Sequence, residues 1–163
     1  MINSMLSIRA AKIEDAATLN VLIHELAEFE KLLHETSVTE EDIARDAFGP
    51  HPKFRAFLAE WGGQPAGYAI VFDFYSTFQG RVGLFLEDIY VRPQFRKQGI
   101  GKEILAYVAG IAWREKYFCM RWEVLDWNKT AIDFYESIGA VFLDEWKAVC
   151  LIGEPLEALA EKS

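Results

Sequence analysis

One stretch decides the fold of this chain and reads LEDIYVRPQFRKQGIGK, residues 86–102. Its apolar beginning predicts a strand, its middle predicts a basic turn with two glycines, and its end opens a helix that we expect over residues 99–116. The N–H groups in the first turn of a helix have no partner within the helix, and the helix dipole adds partial positive charge there. Because Gly99 and Gly101 carry no Cβ, an anion can approach this backbone closely. The stretch therefore indicates an anion site between a strand and a helix.

The charges around this turn are opposite in sign to the charge of the whole chain. The chain carries a formal net charge of −8, yet residues 92–102 contain four bases and no acid. These bases are Arg92, Arg96, Lys97 and Lys102. A positive patch on an acidic protein is what a phosphate-bearing ligand requires. The alternative is a solvated basic loop with ordinary capping glycines, and the two glycines alone do not decide between these interpretations.

The spacing of the glycines separates this turn from two common phosphate loops. A P-loop has Gly at the position of Arg96 and Ser or Thr at the position of Glu103. A dinucleotide-binding turn has a third Gly at the position of Ile104. The chain instead carries Arg-x-x-Gly-x-Gly, formed by Arg96, Gly99 and Gly101, after a strand and before a helix. The turn therefore belongs to neither of those two classes.

Composition predicts one globular domain over residues 1–163. The chain is 52% hydrophobic and 26% charged, which provides an ample core for 163 residues. No segment reaches 18 apolar residues, and the N-terminus lacks a basic region followed by an apolar run. We therefore expect no membrane-spanning helix, no signal peptide and a cytoplasmic location. We expect Cys119 and Cys150 to be buried in apparent strands and to remain reduced.

Net charge and histidine spacing limit the possible partners. An excess of acids argues against nucleic acid, whose phosphates require a positive surface, and is compatible with a cationic substrate. The three histidines, His24, His34 and His51, have no metal-ligand spacing, so we expect no metal. Neither nucleic acid nor a membrane is expected as a partner.

The order of the predicted elements is typical of a mixed α/β fold. Periodicity and turn residues predict strands at residues 5–10, 54–61, 66–75, 82–91 and 119–127, helices at 13–33, about 39–48, 99–116, 129–138 and 154–162, and one or two last strands within 141–153. Gly62-Gly63 predicts a two-residue hairpin between antiparallel strands. The helix after the glycine turn connects two strands that we expect to be parallel neighbours. We therefore predict a central sheet of mixed antiparallel and parallel strands flanked by helices.

Three acids lie where apolar residues are expected. By the two-residue period of a strand, Glu87 shares one face with Ile89, and Asp88 shares the other face with Tyr90. Glu30 falls on the apolar stripe of the first helix. A carboxylate in such surroundings often has a shifted pKa and is a candidate general base or amine anchor. The alternatives are a structural salt bridge or a charge at the edge of the sheet for the strand acids, and a frayed helix end for Glu30.

The helix predicted at 129–138 carries two further candidates. Asn128 is a good N-cap for this helix, and Gly139 is the residue expected just after its end. Tyr135 lies on the apolar stripe with Ala131 and Ile138. A tyrosine at the edge of the core, whose hydroxyl finds a partner, also explains this position.

Five segments together resemble one acetyltransferase family. They are residues 25–30, 48–52, 86–88, 96–101, and Trp127-Asn128 with Phe134-Tyr135. The Arg-x-x-Gly-x-Gly turn resembles the acyl-CoA pyrophosphate loop of the GCN5-related N-acetyltransferases. The five segments resemble the diamine (spermidine/spermine) and thialysine branch of that family over nearly the whole chain. The resemblance implies the fold of the family, direct acetyl transfer from acetyl-CoA to a small-molecule amine, and a homodimer.

The resemblance also implies roles for individual residues. It makes Tyr135 the general acid for the departing thiolate, and it makes Glu87 the residue that binds the amine or relays its proton. Substrate contacts are implied for Phe29, Glu30, Glu87 and Asp88. Contacts with acetyl-CoA are implied for Ile89, Tyr90, Val91, Arg96, Lys97, Gln98, Gly99, Ile100, Gly101, Lys102, Asn128, Lys129, Thr130 and Ala131. The alternatives are transfer to a protein N-terminus or lysine, and a non-catalytic acyl-CoA-binding module.

Overall fold

The computed structural model of this chain describes residues 5–162. The strands are β1 (Leu6–Ala10), β2 (Arg55–Trp61), β3 (Gln64–Ser76), β4 (Arg81–Val91) and β5 (Met120–Arg121). The helices are α1 (Ala16–Phe29), α2 (Glu40–Phe48), α3 (Ile100–Arg114), α4 (Lys129–Ser137) and α5 (Glu154–Ala160). Short 3-10 helices are formed by Ile13–Asp15, Leu33–Glu35 and Pro93–Phe95. The chain forms two compact units: the first ends at Leu125 and contains β1–β5 with α1–α3, and the second begins at Asp126 and contains α4 and α5.

The first unit is built on one sheet with the strand order β1-β2-β3-β4-β5. The pairs from β1 to β4 are antiparallel, and β5 is parallel to β4. Gly62 and Gly63 join β2 to β3 with φ of +58° and +79°, values that glycine adopts without strain and that suit a two-residue hairpin. The helix α3 connects the parallel pair. The mixed sheet flanked by helices that the sequence predicted is confirmed.

Apolar residues at helical spacing pack α1 and α3 in the first unit. In α1, Leu19, Leu22 and Leu26 are buried in one cluster with Leu58 of β2 and Tyr68 of β3. The buried stripe of α3 consists of Ile100, Ile104, Leu105, Val108, Ile111 and Ala112. Full burial of one such aliphatic side chain stabilises the fold by ~1.5–3 kcal/mol relative to its exposure. This packing fixes α1 and α3 against the sheet that carries the candidate site.

The first helix is shorter than its apolar pattern predicted. The sequence predicted residues 13–33, and α1 spans Ala16–Phe29. Before its start, the Asp15 carboxylate accepts hydrogen bonds from the Lys12 backbone N–H at 2.8 Å and from the Arg9 guanidinium at 2.7 Å. After its end, Lys31 has φ of +64°, which an α-helix does not contain. The bounds therefore depend on side-chain bonds and on one left-handed residue, neither of which apolar spacing encodes.

Two strand predictions were wrong. The strand expected at 119–127 is limited to Met120–Arg121, which pair with Leu84 and Phe85 of β4 just before β4 becomes irregular. Residues 141–153 form turns and irregular chain instead of strands. Val149 in this segment is 96% exposed. The alternating pattern of residues 141–153 therefore has no buried face that would stabilise a strand. The prediction of buried cysteines was also wrong, because Cys150 is exposed and Cys119 is half-buried.

Gly67 allows β3 to pass close to the end of β4. It pairs with Val91, and a Cβ at Gly67 would collide with the Tyr90 carbonyl oxygen. Gly83 in β4 is also crowded, but the group next to it is the Phe74 ring. A ring can rotate away from a new methyl group, whereas a paired backbone carbonyl cannot. The two glycines therefore differ in what their replacement would disturb.

We predict that Gly67→Ala destabilises the protein by about 1–3 kcal/mol, because the methyl group must push β3 away from the backbone of β4. Gly83→Ala is the matched control and should cost less, since the Phe74 ring can move. The urea midpoints of unfolding, compared at equal m-values, measure both differences. Equal midpoints for the two variants would contradict the backbone collision at Gly67.

Candidate active site

A bulge in β4 separates the two adjacent acids. Asp88 pairs with Ile70 of β3, and the next pair along is Leu86 with Val71, so Glu87 is the extra residue of the bulge. The side chain of Asp88 is half-buried, whereas that of Glu87 is exposed. This local irregularity lets an otherwise apolar strand carry two acids in succession. Sequence alternation identified both acids but did not locate the bulge.

The strand β4 continues past the end of its parallel neighbour. β5 pairs with β4 through Leu84 and Phe85, and β4 runs on to Val91. Within residues 5–162, no strand pairs with that side of β4 beyond Phe85. An unpaired edge of a sheet offers backbone N–H and C=O groups to an extended ligand. Ile89 and Val91 therefore lie on a segment to which a chain-like ligand can add.

The turn after β4 leaves the start of α3 open. Gly99 is the N-cap of α3 with φ of +81°, and its carbonyl accepts the first helical hydrogen bond, from Glu103 N–H at 3.1 Å. The N–H groups of Ile100, Gly101 and Lys102 precede that bond and have no partner within the helix. A Cβ at Gly99 would meet no atom within 4 Å, and one at Gly101 would make only an ordinary 3.7 Å contact with Val91. The side of the turn on which these two Cβ positions lie is therefore open.

Two of the four bases near the turn hold the turn itself. Arg92 donates to the Glu25 carboxylate at 2.8 and 2.9 Å and to the Pro65 carbonyl at 3.0 Å. Hydrogen bonding to Glu25 raises the pKa of Arg92. The expected patch of four bases is thus reduced, since Arg92 is committed to contacts within the protein.

Arg96 is the second base that holds the turn. Its Nε donates to the Val91 carbonyl oxygen at 2.8 Å, across the turn. Its guanidinium carbon lies 4.6 Å from the centre of the Phe29 ring and 5.6 Å from that of Tyr90, distances typical of cation–π contacts. The same residues Phe29, Tyr90 and Arg96 line a cavity of about 580 Å³. Lys97 and Lys102 are the two exposed bases of the turn.

A second cavity brings together two of the acids predicted for the substrate site. Its volume is about 220 Å³, and its polar lining consists of Glu30, Glu35, Thr36 and Asp88. The remaining lining is apolar: Ile23, Leu26, Ala27 and Leu32. Glu30 is the C-cap of α1 and is half-buried, so it lies both on the apolar stripe and at the helix end. The sequence did not identify Glu35, which belongs to a 3-10 helix outside the periodic pattern of α1.

Burial shifts the acids of this region toward their neutral forms. The net pKa of Asp88 is raised to about 6, because burial and the charges of Glu87 and Glu30 raise it more than a hydrogen bond from Tyr68 lowers it. Burial also raises the pKa of Glu30. For Glu87, partial burial raises the pKa, and the charge of Glu123 adds to the shift. Such acids are stabilised in their charged form by a bound cation.

The second unit contains the remaining predicted residues. Asn128 caps α4 as expected: its side-chain oxygen accepts a hydrogen bond from Ala131 N–H at 3.3 Å. Lys129 and Thr130 lie in the first turn of α4 and are exposed. Tyr135 is buried, with its ring centre 5.5 Å from that of Phe134. Gly139, with φ of +83°, follows the end of this helix.

Across residues 5–162, no three His, Cys, Asp or Glu side chains are grouped to hold a metal ion. None of the described helices has the length and hydropathy needed to cross a lipid bilayer.

Solved structures share this fold at low sequence identity. An integron cassette protein from the mobile metagenome of V. cholerae has a TM-score of 0.81 and 22% identity, covering 98% of this chain and 99% of that one. An aminoglycoside acetyltransferase from an uncultured soil metagenomic sample has a TM-score of 0.75 and 16% identity, covering 94% and 98%. At these identities the likeness supports the fold alone.

Sequence comparison extends the likeness to a family. Thialysine N-epsilon-acetyltransferase of Mus musculus is 40% identical over 164 residues, which cover 94% of this chain and 96% of the relative. The enzyme of the same name in Caenorhabditis elegans is 34% identical, covering 91% and 93%. L-ornithine N5-acetyltransferase of Arabidopsis thaliana is 30% identical, covering 93% and 86%. The family model described as "Acetyltransferase (GNAT) family" matches residues 20–140. The open helix start beyond β4, the sheet and these matches agree, and the chain belongs to the GNAT family of acetyltransferases.

Proposed function

We propose that the chain transfers the acetyl group of acetyl-CoA directly to a primary amine of a small diamine, polyamine or lysine-like amino acid. The observation that carries the proposal is the cavity at Asp88, whose polar lining consists of three carboxylates and one threonine. Its volume of about 220 Å³ suits a small aliphatic amine, since pockets for drug-sized ligands begin at about 300 Å³. The thialysine and ornithine acetyltransferases among the relatives support the same class of acceptor.

The turn before α3 fits acetyl-CoA as the cosubstrate. Its pyrophosphate would accept hydrogen bonds from the unpaired amides of Ile100, Gly101 and Lys102, where the helix dipole favours an anion. Lys97, Gln98 and Gly99 complete the turn, and Arg96 contributes by holding its shape. The pantetheine arm would lie along the unpaired edge of β4 at Ile89, Tyr90 and Val91. The family resemblance also assigns contacts with acetyl-CoA to the first turn of α4, which contains Asn128, Lys129, Thr130 and Ala131.

The reaction needs one proton acceptor and one proton donor. An ammonium group must lose a proton before its nitrogen can attack the thioester carbonyl, and Glu87 is the proposed acceptor, directly or through water. The new N–C bond forms and the C–S bond breaks, the thiolate takes a proton from the Tyr135 hydroxyl, and the second proton of the acetylated nitrogen returns to the Tyr135 phenolate. The products are an N-acetyl amine and CoA thiol. Because the acetyl group passes directly between two bound molecules, no cysteine or serine nucleophile is required.

The charge of the acceptor cavity favours substrates with two cationic groups. Among its eight lining residues, Glu30, Glu35 and Asp88 are acids and none is a base. A second ammonium group would pair with these carboxylates, whereas the carboxylate of an amino acid would be repelled by them. We therefore expect diamines and polyamines to be better acceptors than lysine-like amino acids.

The first test is thiol release by purified protein with acetyl-CoA and a panel of amines. Spermidine should give the highest kcat/KM, and ornithine, lysine and thialysine should give lower values, because they add a carboxylate to an acidic cavity. A kcat/KM that is higher for the amino acids than for spermidine would contradict the charge argument. Release from none of these amines, with acetyl-CoA still bound, would support a non-catalytic acyl-CoA-binding module instead.

We predict that Tyr135→Phe lowers kcat by about 10²–10⁴-fold, because the thiolate then leaves without a proton donor. The KM for the amine should change little. Tyr117→Phe is the matched control, since its hydroxyl bonds to Asp73 and Arg55 at the surface. An unchanged kcat in Tyr135→Phe would remove this tyrosine from the role of general acid.

A homodimer is the proposed assembly, and exposed apolar residues of the second unit support it. Val141, Trp146, Val149 and Ile152 are between 72% and 96% exposed. A group of large exposed apolar side chains in one segment is typical of a surface that binds another protein.

The whole chain is proposed to act as one cytoplasmic acetyltransferase domain, which is supported by a family match that runs across the boundary at Leu125. The net charge of −8 supports the absence of a nucleic-acid or membrane partner.

The dimer is tested by light scattering after size exclusion. We expect a mass of twice the 18.6 kDa of one chain. Val149→Asp should reduce this mass toward that of one chain, because it places a charge on the proposed contact surface. Phe78→Asp, at a residue that is 95% exposed in the first unit, should leave the mass unchanged. A mass of one chain for the original protein would exclude the dimer.

A further inference from the structure

Tyr68 brings a polar group from inside the core to the acidic cavity. It lies in β3 opposite Tyr90 of β4, and its side chain is fully buried in the cluster that contains Leu22 and Leu26 of α1. A buried tyrosine hydroxyl requires a hydrogen-bond partner, because leaving it unpaired costs free energy. The partner is Asp88, whose Oδ2 accepts from the Tyr68 hydroxyl at 3.1 Å. The core and the cavity therefore meet at this bond.

The Asp88 carboxylate is surrounded by groups that oppose its charge. Glu87 precedes it in β4, and Glu30 at the end of α1 lines the same cavity. Glu35 of the 3-10 helix lines that cavity as well. The charges of Glu87 and Glu30 and the burial of the group all raise the pKa of Asp88. The hydrogen bond from Tyr68 acts in the other direction and lowers that pKa. Tyr68 is thus the neighbour that favours the charged form.

We propose that Tyr68 is a positioning residue for the acceptor amine: its hydroxyl holds the Asp88 carboxylate in place and in its anionic form, so that Asp88 binds the second ammonium group of the substrate. The proposal rests on the proposed function, because it needs an acceptor with two cationic groups. A carboxylate has acceptor sites on both oxygens, so one bond to Tyr68 at Oδ2 leaves capacity for the substrate. Tyr68 acts through Asp88 and not on the reacting atoms.

The proposal predicts that loss of the Tyr68 hydroxyl weakens the binding of diamines but not of monoamines, and does so more at neutral pH than at high pH. Without the Tyr68 hydroxyl, the pKa of Asp88 rises further, and more of this carboxyl is protonated near neutral pH. A protonated Asp88 no longer attracts the second ammonium group, so a diamine binds less well. A monoamine has no second charge and should be indifferent to the change. At high pH Asp88 is ionised with or without Tyr68, so the difference between the proteins should shrink.

The test compares Tyr68→Phe with the original protein, using 1,4-diaminobutane and butylamine as acceptors. Tyr68→Phe keeps the buried ring and removes only the hydroxyl. At neutral pH we expect the KM for the diamine to rise by about two- to tenfold, because a hydrogen bond to the charged carboxylate no longer opposes its protonation. The kcat for the diamine and the kcat/KM for butylamine should change little. The rise in KM should decline between about pH 6 and pH 9.

Two controls distinguish positioning from a structural effect. Tyr107→Phe removes the hydroxyl of a half-buried tyrosine of α3, whose ring contacts Phe57, and should leave both acceptors unaffected. Asp88→Asn should raise the KM for the diamine at neutral and higher pH, where Asp88 of the original protein is ionised, and adding Tyr68→Phe to it should raise that KM little further. Equal losses for the diamine and butylamine, or an unchanged KM in Tyr68→Phe, would overturn the proposal.

A measurement without turnover separates this proposal from the proposed function. The carbon-13 shift of the Asp88 carboxyl, followed against pH, reports its ionisation directly. In Tyr68→Phe this titration should move to higher pH than in the original protein, and an unmoved titration would overturn the role of Tyr68. If the original protein acetylates neither amine while the titration moves as expected, the proposed function fails and the bond between Tyr68 and Asp88 keeps its effect on ionisation.

Discussion

The turn between β4 and α3 is the constraint on which the rest of the structure depends. Its backbone changes direction through left-handed conformations, with φ of +63° at Lys97 and +81° at Gly99. Contacts outside the turn maintain that shape: Arg92 pairs with Glu25 of α1, and Arg96 bonds the Val91 carbonyl while covering the Phe29 ring. Basic residues that look in the sequence like ligand contacts thus hold the backbone whose amides are proposed to bind the ligand.

The bulge at Glu87 determines how the acids on the acceptor side of the site are placed. It inserts one residue into β4 opposite β3, and the pairing of β4 with β5 ends two residues earlier, at Phe85. One acid is thereby exposed, and the next lies half-buried at an acidic cavity with its pKa raised to about 6. The bulge therefore gives the two carboxylates different environments, and the unpaired edge of β4 begins just before it. Differences of this kind allow adjacent acids to take different roles.

Local signals in the sequence predicted the parts of the fold that depend on local chemistry. The Gly62-Gly63 hairpin, the start of α3 and the cap at Asn128 each follow from residue types at fixed spacing. The strands expected at 119–127 and 141–153 failed because alternation produces a strand only where a partner and a buried face exist. Within the site, alternation and helical spacing identified Asp88 and Glu30, but not Tyr68, Glu35 or the pairing of Arg92 with Glu25. These contacts join residues far apart in the chain, for which one sequence provides no distance information.

The most direct measurement for the account is a nitrogen-15 NMR titration of the protein with acetyl-CoA, followed at the backbone amides. If the main chain at the start of α3 grips the pyrophosphate, the amides of Ile100, Gly101 and Lys102 should show the largest shifts. Acetylpantetheine, which carries the same thioester without the pyrophosphate, should leave these amides nearly unshifted. Equal shifts with both compounds, or none at these amides when acetyl-CoA is bound, would contradict the account.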